Sequence, residues 1–276
     1  MSYVLYIIPQ MQTNNHKITA LVITYNEIGY IEKCIESISF ADEIIVVDSY
    51  SDDGTYEYLL DHPKVKVIQK TFENFTKQKS FALSQASNDW ILFNDADEIV
   101  TEALRKEIAQ VIGSENTHSA YWFYKKFMFK NRSLNFCAWR TDKNYRLFKK
   151  SKVKFTSKRI VHETLEVEGT TGIFKQKLIH YSYKNYHDYK AKMLSYGRFK
   201  AKEAFLKEKQ FSYSKLILKP LWKFSYHFII RLGFLDAKKG LIVSYLSALG
   251  EIERYLELKR LQSSPKSVFS YKPAKA

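Results

Sequence analysis

Cysteine is scarce in this chain: Cys34 and Cys137 are the only two in 276 residues, and they form no CxxC spacing. That argues against a disulfide framework and a structural zinc site, and it fits a reducing compartment. No GxGxxG or GxxxxGK[ST] run follows the first apolar stretch, which disfavours dinucleotide and P-loop enzymes. An uninterrupted membrane span is missing as well. Leu216–Leu235 is strongly apolar and aromatic, but Lys219, Pro220, Lys223, His227 and Arg231 break it, whereas a spanning helix needs about 20 mostly apolar residues. At the amino terminus, Tyr3–Ile8 is apolar yet short for a signal segment, with no cationic flank and no small-residue cleavage site. Residues 1–16 therefore read as a flexible tail, with Met11 an alternative initiator and the domain starting near Lys17.

What is present is globular: 45% hydrophobic and 16% aromatic residues, enough to bury a full α/β core. The formal charge of +15 is unevenly placed. Residues 1–174 carry 22 Lys+Arg against 22 Asp+Glu, whereas residues 175–276 carry 22 against 7. A neutral domain thus precedes a cationic one, which points to a polyanionic partner, either a membrane surface or a nucleic acid.

The order of elements follows from the apolar pattern. Ile18–Thr24, Glu43–Asp48 and Trp90–Phe93 are short apolar runs, the signature of strands buried on both faces, and Val65–Ile68 makes a further strand after Pro63. Between them lie helical patterns. One opens at Tyr25–Glu27 with Ile28, Ile31, Ile35 and Ile38 on its stripe, a short one runs to Leu60, and one spans Phe75–Ala86. Strands alternating with helices at this pace form βαβ units and a parallel sheet. In such sheets ligands sit outside the carboxyl ends of the strands. Thr24, Asn26 and Glu27 follow the first strand, Asp48, Asp52 and Asp53 the second, and Asp95 and Asp97 the fourth, so these residues would meet on one edge. Two carboxylates separated by one residue suit Mg²⁺ or Mn²⁺ shared with substrate phosphate oxygens. A capped strand end is the plainer reading of each alone.

Beyond the sheet, Ser119–Phe129 reads as an aromatic strand. Packing is its simple role, and stacking of Trp122, Tyr124 or Trp139 on an acceptor sugar the functional one. Arg146 reads either as a ligand for an anionic group or as a solvated cation. Asn185–Lys209 has helical spacing among many lysines. Leu216–Leu235 mixes cations with Trp222, Phe224 and Phe228, as does a helix lying in the headgroup plane of an anionic leaflet. Packing on the catalytic domain or on a second subunit, as in a homo-oligomer, is the alternative. A nucleic-acid-binding protein is the competing class, disfavoured because the folded domain lacks the charge and no binding motif is present.

Taken together, TYNE (Thr24–Glu27), CIESI (Cys34–Ile38), ADEIIVVDSYSDDGT (Ala41–Thr55), KQKSFAL (Lys77–Leu83) and DWILFNDADE (Asp89–Glu98) resemble glycosyltransferase family 2. So do YRLFKK (Tyr145–Lys150), VHETLEVEG (Val161–Gly169), LIHYSYKNYHDY (Leu178–Tyr189) and GFLDAKKG (Gly233–Gly240), in order up to the Leu256 region. The chain is similar to the bacterial β-1,4-glucosyltransferases of lipopolysaccharide inner-core assembly. The resemblance implies an A-type glycosyltransferase fold, a Rossmann-like and mostly parallel α/β sheet flanked by helices, with a basic helical C-terminal extension. Its expected divisions are the tail 1–16, a catalytic domain 17–184 and the extension 185–276.

The resemblance further implies inverting transfer of a hexose, glucose from UDP-glucose, to a lipopolysaccharide inner-core or related glycolipid acceptor with Mg²⁺ or Mn²⁺. Another nucleotide sugar with a capsule or lipid-linked acceptor is the alternative. Thr24, Asn26 and Glu27 would line the nucleoside pocket, Asp48 would hydrogen-bond the uracil, and Asp53 would support that loop. Asp95 and Asp97 would form the Asp-x-Asp metal and diphosphate motif, Asp97 in direct metal contact, with Glu98 a helix-start carboxylate. Where the family often has Arg-Asn, this chain has Lys79-Ser80, which keeps a charge but loses the planar fork. Glu163 is the first choice of general base, Asp142 the second, and His162 a metal or diphosphate ligand; without the resemblance, His162-Glu163 reads as a surface turn pair. The enzyme would be cytoplasmic and peripheral on the inner face of the bacterial inner membrane.

Overall fold

The computed structural model describes residues 16–129, 132–137, 142–156, 164–183 and 185–263. The expected tail up to Asn15, Trp139, His162 and Glu163 lie outside the described residues. The chain divides into two compact units. The first holds, of the described residues, those up to Phe123 with Asn144–Thr156 and Leu165–Gln176; the second holds those of Tyr124–Lys143, Thr164, and Lys177 onward.

In the first unit, β1 (Ile18–Thr24), β2 (Glu43–Asp48), β3 (Val65–Gln69) and β4 (Trp90–Asp95) form the parallel part of a sheet ordered β3-β2-β1-β4, as their apolar runs predict. Helices α1 (Ile31–Ser37), α2 (Thr55–Leu60) and α3 (Phe75–Gln85) connect them. The short strand β5 (Glu98–Ile99) and helix α4 (Glu102–Ile112) follow, and then β6 (Ala120–Phe129), which runs through both units, and the two-residue β7 (Arg132–Ser133) of the second. Strand β8 (Lys143–Lys149) returns antiparallel beside β4, with β6 next in order, so the sheet is mixed but mostly parallel. β9 (Val153–Thr156) pairs with β10 (Thr164–Val167), and β11 (Thr171–Ile173) pairs with β6.

Both faces of β1, β2 and β4 are covered. Leu21, Ile45, Val47, Ile91 and Phe93 pack with Ala82 and Ala86 beside α3 and with Phe148 of β8. On the opposite face of β4, Asn94 Nδ2 reaches Cys34 Sγ of α1 at 3.5 Å. The α1 helix starts later than its apolar spacing suggests, and Ile28 is 40% exposed while Ile31, Ile35 and Ile38 are fully buried. Asn26 and Gly29 both have left-handed backbones, which hold residues 25–30 out of the helix.

In the second unit, β12 (Leu178–Tyr183) pairs parallel with the later part of β6. Three helices follow, α5 (Tyr186–Leu206), α6 (Tyr213–Ser225) and α7 (Ala237–Ser263). The expected single helix over Leu216–Leu235 is broken. α6 ends at Ser225, a π-helical turn covers Tyr226–Ile230, and a short 3-10 turn covers Gly233–Asp236. The break has a packing cause. Gly240 lies so near the Gly233 carbonyl that a Cβ there would sit 1.7 Å from its oxygen. The Asp236 carboxylate also accepts the backbone N–H groups of Asn135 and Phe136 at 3.1 and 2.9 Å. Phe127, Leu134, Tyr189, Val243 and Leu246 form the unit's core. No helix among the described residues is long and apolar enough to cross a membrane.

Candidate active site

Parallel pairing brings three strand ends level. Thr24 lies opposite Asp48, and Ile23 opposite Asp95, so β1, β2 and β4 deliver their polar termini to the same edge. Thr24 is buried, and its Oγ1 finds no hydrogen-bond partner among the described residues. A buried hydroxyl at a strand end, without a protein partner, is suited to a ligand's polar group.

The loops after β1 and β2 are bound to each other. The Asn26 N–H donates to Ser51 Oγ (2.9 Å), Glu27 N–H to Thr55 Oγ1 (2.9 Å) and Ile28 N–H to Asp53 Oδ2 (3.1 Å). Asn26 and Asp52 exchange a reciprocal pair, Nδ2 to Oδ1 at 2.7 Å and backbone N–H to Oδ1 of the asparagine at 3.0 Å. Burial raises the Asp53 carboxyl, but hydrogen bonds from Thr55 and from the Ile28 N–H outweigh it and hold the pKa below its ordinary value. Asp53 is thus an ionised brace.

Asp48 is fully buried. Its carboxylate accepts Ser51 N–H (3.0 Å), Ser51 Oγ–H (2.5 Å) and Gln69 Nε2–H (3.3 Å), which takes three of roughly four acceptor positions. In this geometry it holds the Ser49–Ser51 turn.

At the end of β4 the chain bends at Ala96–Asp97, so Asp95 and Asp97 flank a turn rather than an extended step. Both are partly exposed. Glu98 behaves differently from its expected place at a helix start. α4 begins at Glu102 with Thr101 as its cap, while Glu98 is fully buried in β5. Its Oε1 accepts Arg146 Nη2 at 2.6 Å and its Oε2 accepts the Asp95 N–H at 3.0 Å. The same Arg146 nitrogen donates to Asp95 Oδ2. Arg146 is therefore neither solvated nor an exposed anion ligand; it is 2% exposed and bridges two carboxylates. Burial works against its charge, and Asp95 and Glu98 more than offset it, raising the guanidinium pKa above its ordinary value.

Cys34 lies beneath this turn. Its thiol meets the Asp95 carbonyl oxygen and Asn94 Nδ2, each at 3.5 Å. Burial pushes its pKa up to about 12; the Asn94 hydrogen bond lowers it, and Glu98, Asp97 and Asp95 raise it. Lys79 of α3 is also buried, with Nζ 5.1 Å from the Phe93 ring centroid. Trp122 lies against Tyr145, ring centroids 3.6 Å apart. In the second unit, the Asp142 carbonyl accepts Lys125 N–H (3.3 Å), and Lys143 Nζ lies 5.8 Å from the Tyr124 ring.

Among the described residues, no group of three His, Cys, Asp or Glu is arranged as a metal site. Asp95 and Asp97 nonetheless supply a donor set that fits Mg²⁺ or Mn²⁺, which take one or two carboxylates and complete their shell with water and phosphate oxygens. A cavity of about 680 Å³, lined by Lys17, Asn88, Asp89, Trp90 and Lys149 among others, lies at the opposite, amino-terminal ends of β1 and β4. Its position is not where parallel sheets carry their ligands.

Motif pattern alone does not place Arg146 on Asp95 and Glu98. A signal was available: an arginine in an apolar strand context, Tyr145-Arg146-Leu147-Phe148, is buried and requires a carboxylate partner.

A mostly parallel sheet with helices on its faces, an antiparallel return strand beside β4 and a carboxylate turn at the carboxyl edge define an A-type glycosyltransferase fold. The chain belongs to glycosyltransferase family 2, whose model, "Glycosyl transferase family 2", matches residues 19–166, and it is a glycosyltransferase. An uncharacterized glycosyltransferase of Rickettsia felis is 30% identical over 259 residues, covering 90% of each chain. The lipopolysaccharide core biosynthesis glycosyltransferase LpsC of Rhizobium meliloti is 26% identical over 255 residues, covering 86% of this chain and 93% of its own. Among solved structures, the mannosyltransferase PcManGT from Pyrobaculum calidifontis in complex with GDP-Man and Mn²⁺ has a TM-score of 0.47 at 16% identity, covering 84% of this chain and 74% of that one.

Proposed function

We propose that this enzyme transfers a hexose, glucose from UDP-glucose, with inversion onto a lipopolysaccharide inner-core or related glycolipid acceptor presented at an anionic cytoplasmic leaflet. The observation that carries the reading is the level alignment of Thr24, Asp48 and Asp95 beside the Asp97 turn. Similarity to LpsC supports the acceptor class.

In this reading Thr24, Asn26 and Glu27 line the nucleoside, Asp48 hydrogen-bonds the uracil, and Asp53 supports that loop. Asp97 and Asp95 are the groups that hold a divalent cation, with His162 a further candidate ligand. Bound there, the cation would neutralise charge developing on the departing diphosphate oxygen. Lys79 adds positive charge beside β4. Arg146 restrains Asp95. The acceptor hydroxyl attacks C1 as the diphosphate leaves, and a carboxylate on the opposite face takes its proton, a contribution of roughly 10²- to 10⁴-fold in rate. Glu163 is the assigned base and Asp142 the second.

The test is a panel of nucleotide sugars scored for thermal stabilisation with and without Mn²⁺, followed by transfer to a lipopolysaccharide-core acceptor. UDP-glucose at 100 times its dissociation constant should add about 2.7 kcal/mol. Stabilisation by a different nucleotide sugar alone would overturn the donor assignment, and stabilisation equal without metal the cation's role. Glu163→Gln should abolish transfer and leave UDP-glucose binding within about twofold, the split expected for a proton acceptor.

A further inference from the structure

Among the described residues, the second unit leaves an apolar face exposed. On α6, Ile217, Leu218, Leu221 and Trp222 are 59–63% exposed. At about 100° per residue they fill one arc of roughly 140° on the helix. Lys215, Lys219 and Lys223 fall in the arc immediately beside it, the first two exposed and the third half-buried. Pro220, the helix's buried residue, lies outside both arcs. Hydrophobic exposure continues past the helix at Ile229 and Ile230 of the π-helical turn (59% and 55%) and at Phe234 and Leu235 of the 3-10 turn. Soluble surfaces do not ordinarily leave such a run of large apolar side chains in water.

Charge chooses the occupant. The segment lies in the part of the chain that carries 22 Lys+Arg against 7 Asp+Glu. An apolar stripe with an indole, flanked by a lysine stripe, matches an acyl boundary beneath anionic headgroups. No helix among the described residues is built to span, so the match is to a surface rather than to a bilayer core.

We propose that α6 and the two turns after it form the surface by which the enzyme docks on an anionic lipid leaflet. Ile217, Leu218, Leu221 and Trp222 enter the acyl boundary, and Lys215 and Lys219 contact lipid phosphates. The inference rests on the proposed glycolipid acceptor and specifies how the enzyme reaches it.

The experiment is sedimentation of the full chain with vesicles of phosphatidylethanolamine and phosphatidylglycerol, and with phosphatidylcholine alone. Wild type should sediment with the anionic vesicles, release as salt rises, and stay in solution with phosphatidylcholine. Lys215→Ala/Lys219→Ala should weaken partition roughly 30-fold. Ile217→Ser/Leu218→Ser/Leu221→Ser should weaken it about a thousandfold or more. Both variants replace exposed residues, and unchanged circular dichroism and unchanged transfer to a detergent-dispersed acceptor would establish that they fold and work. Wild type left in solution at low salt overturns the docking surface, as does binding unaltered in either variant. An oligomer that the triple-serine variant dissociates, without vesicle binding, assigns the face to a second copy; salt-sensitive retention on nucleic acid without vesicle binding assigns it to that polymer. Either result refutes the proposal. Vesicle binding with no transfer to any acceptor would instead refute the glycolipid reading and leave the lipid surface standing.

Discussion

Replacing Arg146 by methionine tests what holds the Asp-x-Asp turn. The guanidinium is 3% exposed at its side chain, Glu98 0% and Asp95 31%, and one nitrogen serves both carboxylates. Removing the cation leaves Glu98 ionised in the interior without its counter-charge, while Asp95 can still turn to water. Loss of one partner from a buried pair costs about 3–5 kcal/mol. For a protein of this size that corresponds to roughly 6–20 °C in melting temperature. The loss is read by urea denaturation followed by circular dichroism. Glu98→Gln in the Arg146→Met background should recover most of the loss, because the buried charge is gone and the amide oxygen still accepts the Asp95 N–H. A loss under about 1 kcal/mol would refute the reasoning.

Three further outcomes follow from the geometry. Asp97→Ala should reduce metal-dependent transfer by about 10²-fold or more, with the melting temperature close to wild type because the side chain is partly exposed; wild-type turnover with Mn²⁺ would remove Asp97 from the metal. His227 is buried with neither ring nitrogen partnered among the described residues, and burial, Lys223 and Arg231 push its pKa down to about 4. A depressed folded pKa gives stability that is complete above the unfolded value of about 6.5 and lost as pH falls towards 4, by no more than about 3 kcal/mol; His227→Phe should flatten that acid limb in denaturation midpoints. Gly197 of α5 meets α7 so closely that a Cβ would lie 2.5 Å from the Gly250 carbonyl oxygen, so Gly197→Ala should cost about 1–3 kcal/mol in urea unfolding, and an unchanged midpoint would show that the crossing yields.

The parallel strands were legible because burial on both faces demands unbroken apolar runs, and Ile18–Thr24 and Glu43–Asp48 each became a strand with those bounds. Their level polar ends were legible too, since β1, β2 and β4 run parallel and a ligand edge follows from that direction. The start of α1 was not. Apolar spacing continued through Ile28, but Ser51, Asp53 and Thr55, some 25–28 residues away in sequence, take the backbone N–H groups of residues 26–28 and hold them in a loop. Local pattern carries no record of such a distant partner.

The same distinction separates Glu98 from Asp97. Sequence alone determined that a carboxylate turn ends β4, because an apolar run stopping in Asp95-Ala96-Asp97-Glu98 has to leave the sheet there. Only the tertiary structure decided which acid is buried, by bringing Arg146 back from 48 residues beyond Glu98 on an antiparallel strand. The exposure of α6 is likewise a tertiary result. Its apolar residues are evident in the chain, but which of them the neighbouring α7 covers and which remain bare depends on how the two helices pack.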